Sequence, residues 1–151
     1  MNEIKPYRHT VQYYETDRMG IVHHSNYIRW FEEARVDILN QTSITYDAME
    51  AAGVLIPVLE AHASYKTMTR FGDSVMIRTT VKQYNGVVLT MEYEVTDEKT
   101  NEVRCVGGTK HCFLNPEGKV LPLKHSHKEI HAVLKELAEA AGLPEKESGQ
   151  R

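Results

Sequence analysis

Apolar side chains along the chain follow two different periods, and the change occurs at Gly53. Before Gly53, residues 27–39 place apolar side chains at every third or fourth position, and residues 45–52 form a second, shorter helical segment. After Gly53, residues 75–81 and 89–95 alternate apolar and polar side chains, which is the period of a strand with one buried face. The pattern predicts an early helix with a wide apolar stripe, followed by consecutive antiparallel strands.

Short segments of turn-forming residues separate the predicted strands. Asn85 and Gly86 lie between the two alternating runs and predict a two-residue hairpin turn of type I′. Gly107 and Gly108 predict either a bulge or a close approach of another part of the chain. Pro57 favours an edge position or a bend near the start of the strand expected at residues 54–66. Further strands are expected at residues 8–14, 54–66 and 103–114, and a final amphipathic helix at residues 127–141.

This order of elements predicts an α+β fold in which a five-stranded antiparallel sheet packs on the early helix. The helix at residues 27–39 is the only early segment apolar enough to fill the concave side of a curved sheet. A chain of 151 residues fits one domain. We expect that domain to span residues 1–142, including the C-terminal helix, and residues 143–151 to form a flexible tail.

Composition and charge exclude several classes of protein. Hydrophobic residues make up 41% of the chain, and 18 basic against 21 acidic residues give a net charge of −3, which disfavours a nucleic-acid partner. The sequence has neither an apolar run of roughly 20 residues nor an apolar N-terminal segment, so we expect no membrane span and a cytoplasmic location. Cys105 and Cys112 fall on opposite faces of one predicted strand, and we expect two reduced thiols.

The candidate chemistry lies between the first strand and the early helix. Asp17 stands in the loop, and Gly20 allows a backbone conformation that other residues resist. His24 approaches the helix N-terminus, which we expect Ser25 or Asn26 to cap. Unpaired N–H groups at such an end can polarise a carbonyl oxygen or hold a developing oxyanion. A carboxylate beside them is a minimal apparatus for acyl transfer.

Other arrangements of reactive side chains remain as alternatives. His111 and Cys112 are neighbours on a strand and point to opposite faces, which disfavours a Cys–His dyad. Ser25 has no acid placed by the sequence to complete a catalytic triad. Two groups could bind zinc, and neither has a clear fourth ligand: Asp17 with His23 and His24, and His125 with His127 and His131. We expect no metal site.

The segment over residues 14–35 resembles the signature of hotdog-fold acyl-CoA thioesterases of the 4-hydroxybenzoyl-CoA thioesterase family. It reads Tyr14-x-x-Asp17-x-x-Gly20-Ile21-Val22-His23-His24-Ser25-Asn26-Tyr27, followed by Trp30-Phe31-Glu32-x-Ala34-Arg35. The turn Arg70-Phe71-Gly72-Asp73 resembles the one before the family's third strand, and the element order matches over residues 7–140. The resemblance implies a five-stranded antiparallel sheet wrapped around a long central helix. It also implies a dimer that continues the sheet across two chains with active sites at the interface, and often a homotetramer.

The resemblance also assigns roles to individual residues. It places the essential carboxylate at Asp17 and the backbone donor that polarises the thioester near His24. The implied reaction is hydrolysis of an acyl-CoA thioester to the free acid and coenzyme A, without a cofactor beyond the coenzyme A of the substrate. Asp17 acts either as a nucleophile, giving a mixed anhydride, or as a general base on water. Substrate contacts are expected at Gly20, Tyr27 and Trp30, with Phe31 assigned to the core. Lys66, Arg70, Lys82 and Lys110 are candidates for binding coenzyme A by charge alone, because the residues that hold its nucleotide end vary within the family.

Two departures from the family pattern and two rival functions accompany this interpretation. Arg18 and Met19 follow Asp17 where the family often has small residues or proline, and Thr67, Met68 and Thr69 replace a frequent proline.

A hotdog-fold acyl dehydratase would pair a histidine base, His24, with an acid, Glu32 or Glu33. A non-catalytic acyl-CoA-binding module would bind without turnover. Asp17 favours hydrolysis, since a dehydratase has no need of that carboxylate.

Overall fold

A computed structural model of the protein describes residues 3–142. The elements in chain order are β1 (Tyr7–Thr10), a 3-10 turn (Tyr13–Glu15), α1 (Ser25–Asn40), α2 (Tyr46–Ala51), β2 (Val58–Tyr65), β3 (Ser74–Tyr84), β4 (Val88–Asp97), β5 (Val103–Cys112), α3 (Leu123–Ser126) and α4 (Lys128–Ala140). The tail predicted at residues 143–151 lies outside the described residues.

The five strands form one antiparallel sheet in the order β1-β3-β4-β5-β2. In this order β2 is an edge strand, with Tyr65 opposite Cys105 of β5. Pro57 directly precedes β2, which confirms the edge position that the proline predicted. The sheet, the long helix and the C-terminal helix confirm the predicted α+β architecture.

The long helix α1 lies against the sheet and supplies much of the core. Its buried apolar side chains recur at helical spacing, and Trp30 and Phe31 are fully buried. The ring of Phe31 stacks on Tyr93 of β4, with centroids 4.5 Å apart. A Cβ at Gly107 would stand 2.6 Å from that Phe31 ring, which confirms the predicted close approach. The register shifts of the sheet lie elsewhere, at Leu59 of β2, Lys82 of β3 and Arg104 of β5. A helix wrapped by an antiparallel sheet is the hotdog arrangement.

The C-terminal segment closes one end of the core. The helix predicted at residues 127–141 is confirmed as α4 (Lys128–Ala140). The short helix α3 precedes it and was not predicted, and the non-helical backbone of His127, with φ −143°, separates the two. Helix α4 then buries an apolar stripe of Ile130, Val133, Leu134 and Leu137. The carbonyl of Ala141 accepts the N–H of Val81 at 2.8 Å, and this bond ties the end of the helix to β3.

Two predicted local structures are wrong. Residues 13–14 do not extend the first strand, since β1 ends at Thr10 and a 3-10 turn follows. The hairpin between β3 and β4 is not of type I′, which needs a positive φ at both central residues. Among residues 3–142, Asn101 is the only non-glycine residue with a positive φ. The side-chain oxygen of Asn85 instead accepts the N–H groups of Val87 and Val88.

Two predictions made from composition can be compared with the described residues. Cys105 is buried, Cys112 is half-buried, and both are free thiols, as expected from their spacing. Burial raises the pKa of the Cys105 thiol to about 11, so this thiol stays protonated at neutral pH. Between residues 3 and 142, no helix is long and apolar enough to cross a membrane.

Candidate active site

The loop that carries Asp17 is closed by backbone hydrogen bonds. The N–H of Asp17 donates to the carbonyl of Ile21 at 2.8 Å, and the N–H of Gly20 donates back to the Asp17 carbonyl at 3.0 Å. Gly20 has φ +77°, a conformation that a Cβ disfavours. Oδ1 of Asp17 accepts the N–H of Met19 at 2.8 Å. Within residues 3–142, Oδ2 has no hydrogen-bond partner, so the carboxylate is oriented and retains one available oxygen.

The start of α1 presents a second polar group. The N–H groups of Ser25 and Asn26 donate to the ring Nδ1 and the carbonyl of His23, and Tyr27 N–H donates to the His24 carbonyl. No residue of the described chain accepts the backbone N–H of His24. This N–H points from the end of a helix at which the dipole is positive. It is a donor that a substrate carbonyl can use.

The capping prediction for this helix is wrong. Ser25 and Asn26 are the first two residues of α1, and His24 precedes them without a side-chain capping bond. The amide Nδ2 of Asn26 donates instead to the carbonyl of Glu15 at 2.8 Å. The hydroxyl of Ser25 lies 2.8 Å from Nδ1 of His23. The polar groups of Ser25 and Asn26 therefore find their hydrogen-bond partners in the preceding loop, because the loop folds back onto the first turn of α1.

Asp17 and His24 line one cavity of about 340 Å³. Tyr27 and Lys66, two other residues expected from the sequence, line it as well. The remaining lining residues are Met19, Ile21, Val22, Tyr65, Thr67 and Met68. Larger cavities lie along β3 and β4 (about 630 Å³) and along α1 (about 650 Å³), but neither includes Asp17 or His24. The smaller cavity is the one at which a carboxylate and a helix N-terminus meet.

Two tyrosines form an aromatic wall of this cavity. The Tyr27 hydroxyl lies 2.9 Å from Oγ1 of Thr69, and its ring centroid is 5.4 Å from that of Tyr65. The Tyr65 hydroxyl donates to the His24 carbonyl at 3.4 Å. Burial raises the pKa of both phenols, so both stay neutral. The sequence does not single out Tyr65, because its only signal is an aromatic residue at the end of a predicted edge strand.

The other predicted substrate contacts lie outside the cavity. Trp30 is fully buried, and its Nε1–H donates to Oε2 of Glu15 at 2.6 Å, so it belongs to the core. Arg70 is exposed, and its backbone pairs with Ile21. Gly20 shapes the loop without lining the cavity. Lys82 pairs with Glu92 at 3.5 Å, and Lys110 lies on β5 opposite Thr90. Phe31 is in the core, as expected.

The two histidine groups considered for zinc do not converge. His23 and His24 stack on each other with ring centroids 4.1 Å apart. In the C-terminal group, Nδ1 of His131 lies 2.7 Å from the Tyr84 hydroxyl, and Nε2 of His127 lies 3.0 Å from the carbonyl of Ala52. Throughout residues 3–142, no three His, Cys, Asp or Glu side chains are placed together to hold a metal ion.

Comparison with known proteins places this chain in a family. The chain matches the thioesterase-like superfamily over residues 11–145. A DHNA-CoA thioesterase from Staphylococcus aureus superposes with a TM-score of 0.83 at 27% identity, covering 89% of this chain and 91% of that one. A hypothetical protein from Aquifex aeolicus superposes with a TM-score of 0.78 at 35% identity over 85% and 98% of the two chains. The acyl-CoA thioester hydrolase YbgC of Escherichia coli O6:H1 is 26% identical over 87 residues, 58% of this chain and 65% of that protein.

The fold and the family match together define a hotdog-fold thioester hydrolase. The family match spans nearly the whole described chain, and the protein belongs to the thioesterase-like superfamily. This membership confirms the resemblance to hotdog-fold acyl-CoA thioesterases drawn from residues 14–35.

Proposed function

We propose that Asp17 and the start of α1 hydrolyse an acyl-CoA thioester to the free acid and coenzyme A. The observation that carries the proposal is the shared cavity, where the Asp17 carboxylate and the unpaired N–H of His24 are both available. The substrate class is supported by the relatives, among them proteins named as an acyl-CoA thioester hydrolase and an acyl-CoA thioesterase. The acyl group itself is to be found by assay.

The proposed chemistry divides between the two groups. The His24 N–H, with the positive end of the α1 dipole, binds the thioester oxygen and stabilises the oxyanion that forms on it. Asp17 either attacks the carbonyl carbon through Oδ2 or removes a proton from the water that attacks. In both routes the bond from carbon to sulfur breaks, coenzyme A leaves as a thiolate, and solvent protonates it.

The two roles of Asp17 differ in where water enters. In the anhydride route, water that attacks the Asp17 carbonyl leaves one of its oxygens in the side chain. In the general-base route, the water oxygen goes directly to the acid product. A single turnover in ¹⁸O-labelled water, followed by mass spectrometry of the peptide that contains Asp17, detects label only if the anhydride forms and opens on the protein side.

The substrate contacts follow from the cavity walls. Tyr27, Tyr65 and Met68 offer apolar and aromatic surface to the acyl group and the pantetheine arm. Lys66 is exposed beside them, where its charge attracts the phosphates of coenzyme A. The positive charge of the exposed Arg70 side chain can also attract these phosphates from outside the cavity. Gly20 contributes to substrate binding only through the shape of the loop. Lys82 is excluded from this role because Glu92 pairs with it.

The edge strand β2 supports a homodimer. It pairs with β5 on one side, and its apolar residues Val58 and Leu59 are 49% and 51% exposed. A long exposed edge strand is an aggregation hazard that proteins cover. Pairing of β2 with the same strand of a second copy would continue the sheet. It would also bring the partner close to Tyr65, and therefore to the cavity. The homotetramer implied by the family pairs two such dimers.

A cytoplasmic location and the lack of a cofactor complete the proposal. The free thiols of Cys105 and Cys112 suit a reducing compartment. The reaction as written uses a carboxylate, a backbone N–H and water, so it calls for no metal or redox group. Coenzyme A enters as part of the substrate.

A panel of acyl-CoAs tests the function, and Asp17→Asn tests the site. Short aliphatic, long-chain and aromatic thioesters are assayed for thiol release, with at least one expected to turn over. Asparagine keeps an Oδ1 that can accept the Met19 N–H, so Asp17→Asn is expected to fold. Its turnover is expected to fall by about 10²–10⁴-fold. Undiminished hydrolysis by the folded variant contradicts the role of Asp17.

The same panel separates the rival functions. A dehydratase would pair His24 with Glu32 or Glu33, but both glutamates line the different cavity along α1. Formation of a hydroxyacyl-CoA from an enoyl-CoA without thiol release would favour that activity. Saturable binding of acyl-CoA without any product would favour a binding module.

A further inference from the structure

A buried carboxylate lies beneath the candidate site, and the proposed reaction does not use it. Glu15 is 4% exposed. Its Oε1 accepts the N–H of Gln12 at 2.8 Å and lies 2.8 Å from Nε2 of His9. Its Oε2 accepts the Nε1–H of Trp30 at 2.6 Å. One side chain thus joins β1, the 3-10 turn and the middle of α1.

The backbone of the same residue joins the loop to the start of α1. The carbonyl of Glu15 accepts the N–H of His23 at 2.8 Å and the side-chain Nδ2–H of Asn26, also at 2.8 Å. His23 directly precedes His24, whose N–H is the proposed oxyanion donor. Both ends of the candidate site therefore depend on where this one carbonyl lies.

The loop between the two ends continues from that anchor. Thr16 and Val22 form an antiparallel bridge, and the N–H of Asp17 donates to the carbonyl of Ile21. Asp17 is two residues after Glu15, so the anchor and the carboxylate are separated by a short, hydrogen-bonded segment. A shift of Glu15 would move Asp17 relative to His24, because its side chain is bonded to β1 and α1 while its backbone begins this loop and bonds to His23.

We propose that Glu15 is a positioning residue of the reaction, which sets the separation between the Asp17 carboxylate and the His24 N–H. This proposal rests on the proposed function of the site. Three N–H groups converge on the side chain of Glu15, and a carboxylate is the side chain that accepts all three. A glutamine has the same size but only one accepting oxygen, so it leaves one of these buried donors poorly paired.

The ionised state of Glu15 agrees with this arrangement. Burial raises the pKa of the carboxyl group, but hydrogen bonds from Gln12, His9 and Trp30 outweigh that effect and leave the pKa below its ordinary value. Glu15 is therefore a carboxylate at neutral pH, and all three donors stay bonded to it.

The experiment is a double-mutant cycle of Glu15→Gln with Asp17→Asn, read as kcat and KM on the best substrate of the panel. If Glu15 acts through Asp17, Glu15→Gln alone lowers kcat by about 10–100-fold, since displacements of about 1 Å can cost that much. KM stays within about threefold, because the walls that bind the substrate are untouched. In the Asp17→Asn background the same substitution costs less than about threefold.

Glu33→Gln is the matched control, because it removes the same charge from the other side of His9. Oε2 of Glu33 lies 3.7 Å from Nδ1 of His9, and the side chain is 47% exposed. Its kcat is expected to stay within about twofold of the wild type. If Glu15→Gln is not recovered folded, Trp30→Phe is taken through the same cycle; it removes the donor to Oε2 together with one ring of the buried side chain.

Two results overturn the proposal. One is a wild-type kcat for folded Glu15→Gln, and the other is an equal loss in both backgrounds, which denotes a general structural role. Full activity of Asp17→Asn is a different failure, because it refutes the proposed function of the site and removes the basis of the positioning role.

Discussion

Phe31 and Gly107 approach each other so closely that no side chain fits between them. A Cβ on Gly107 would stand 2.6 Å from Cε2 of Phe31 and would overlap the carbonyl oxygen of His62. A face of the Phe31 ring stacks on Tyr93, the cross-strand partner of Gly107. The close packing of α1 on the sheet therefore requires a glycine at position 107 of β5.

Replacing Gly107 with alanine is expected to destabilise the fold by about 1–3 kcal/mol or more, because the backbone of β2 or the ring of Phe31 must move. Gly108→Ala is the matched control on the opposite face of β5. The nearest atoms to its Cβ would be in the exposed His62 ring, at 2.7 Å, and the Met91 carbonyl oxygen, at 3.0 Å. The ring can swing away, and the carbonyl needs to move by only a few tenths of an ångström. We expect a cost of about 1 kcal/mol or less there. Urea unfolding of both variants measures the difference, and equal losses would contradict the prediction.

The proposed oxyanion donor is tested by two substitutions at His24. His24→Ala keeps the backbone N–H, so turnover is expected to stay within about tenfold of the wild type. His24→Pro removes the N–H, and the native φ of −54° suits proline. Loss of one oxyanion donor is expected to lower kcat by about 10²–10³-fold.

The alternative for His24 is an imidazole that protonates the departing thiolate. That role predicts a loss in His24→Ala as deep as in Asp17→Asn, with wild-type turnover falling as the imidazole loses its proton at higher pH. The pH profiles of the three variants on one substrate distinguish the two roles. A deep loss in His24→Ala would also restore the dehydratase hypothesis.

The β2 edge predicts the assembly state. Wild-type protein is expected to be a dimer or tetramer at micromolar concentration, as measured by light scattering. Leu59→Glu places a charge on each copy at the proposed junction and is expected to shift the protein toward monomer. Val120→Glu, at a site that is 56% exposed outside β2, is expected to leave the assembly unchanged. A monomeric wild type would contradict the proposed interface.

His111 predicts a pH dependence of stability. The ring is fully buried, with Nδ1 3.1 Å from the carbonyl of Pro57 and Nε2 2.7 Å from Oγ1 of Thr109. A carbonyl can only accept, so Nδ1 carries the proton of the neutral ring. Burial, with the charge of Arg35 as the second cause, lowers the pKa of His111 to about 4.

The direction of this pH dependence follows from whether the unfolded or the folded chain protonates His111 at the higher pH. The unfolded chain protonates His111 near its ordinary pKa of about 6.5, whereas the folded protein resists protonation until about pH 4. Stability is therefore full above about pH 6.5 and declines as the pH falls toward 4. When the pH is lowered from 7.5 to 5, the free energy of unfolding is expected to fall by about 2 kcal/mol less in His111→Gln than in the wild type. Urea unfolding at both pH values measures this difference. Parallel pH curves would contradict this assignment.

Local patterns in the sequence determined most of the elements and indicated the two candidate groups, Asp17 and His24. The helical period over residues 27–39 located α1 to within two residues of its observed start at Ser25. Such a period can be read from the sequence because side chains three and four residues apart share one face of a helix. The alternating runs located β3 and β4 because one face of each is buried. Asp17 and His24 could be proposed as a pair because a short loop joins them, so chain connectivity alone keeps them close.

Tertiary structure decided which side chains share a cavity. Tyr65 reaches His24 across 41 residues of sequence, and an alternating pattern does not say what covers a strand. Trp30 turns into the core because the buried carboxylate of Glu15 accepts its N–H, and that partner comes from a different segment. Sequence periodicity identifies the buried face of an element, but the partner on that face is chosen by packing between segments far apart in the chain.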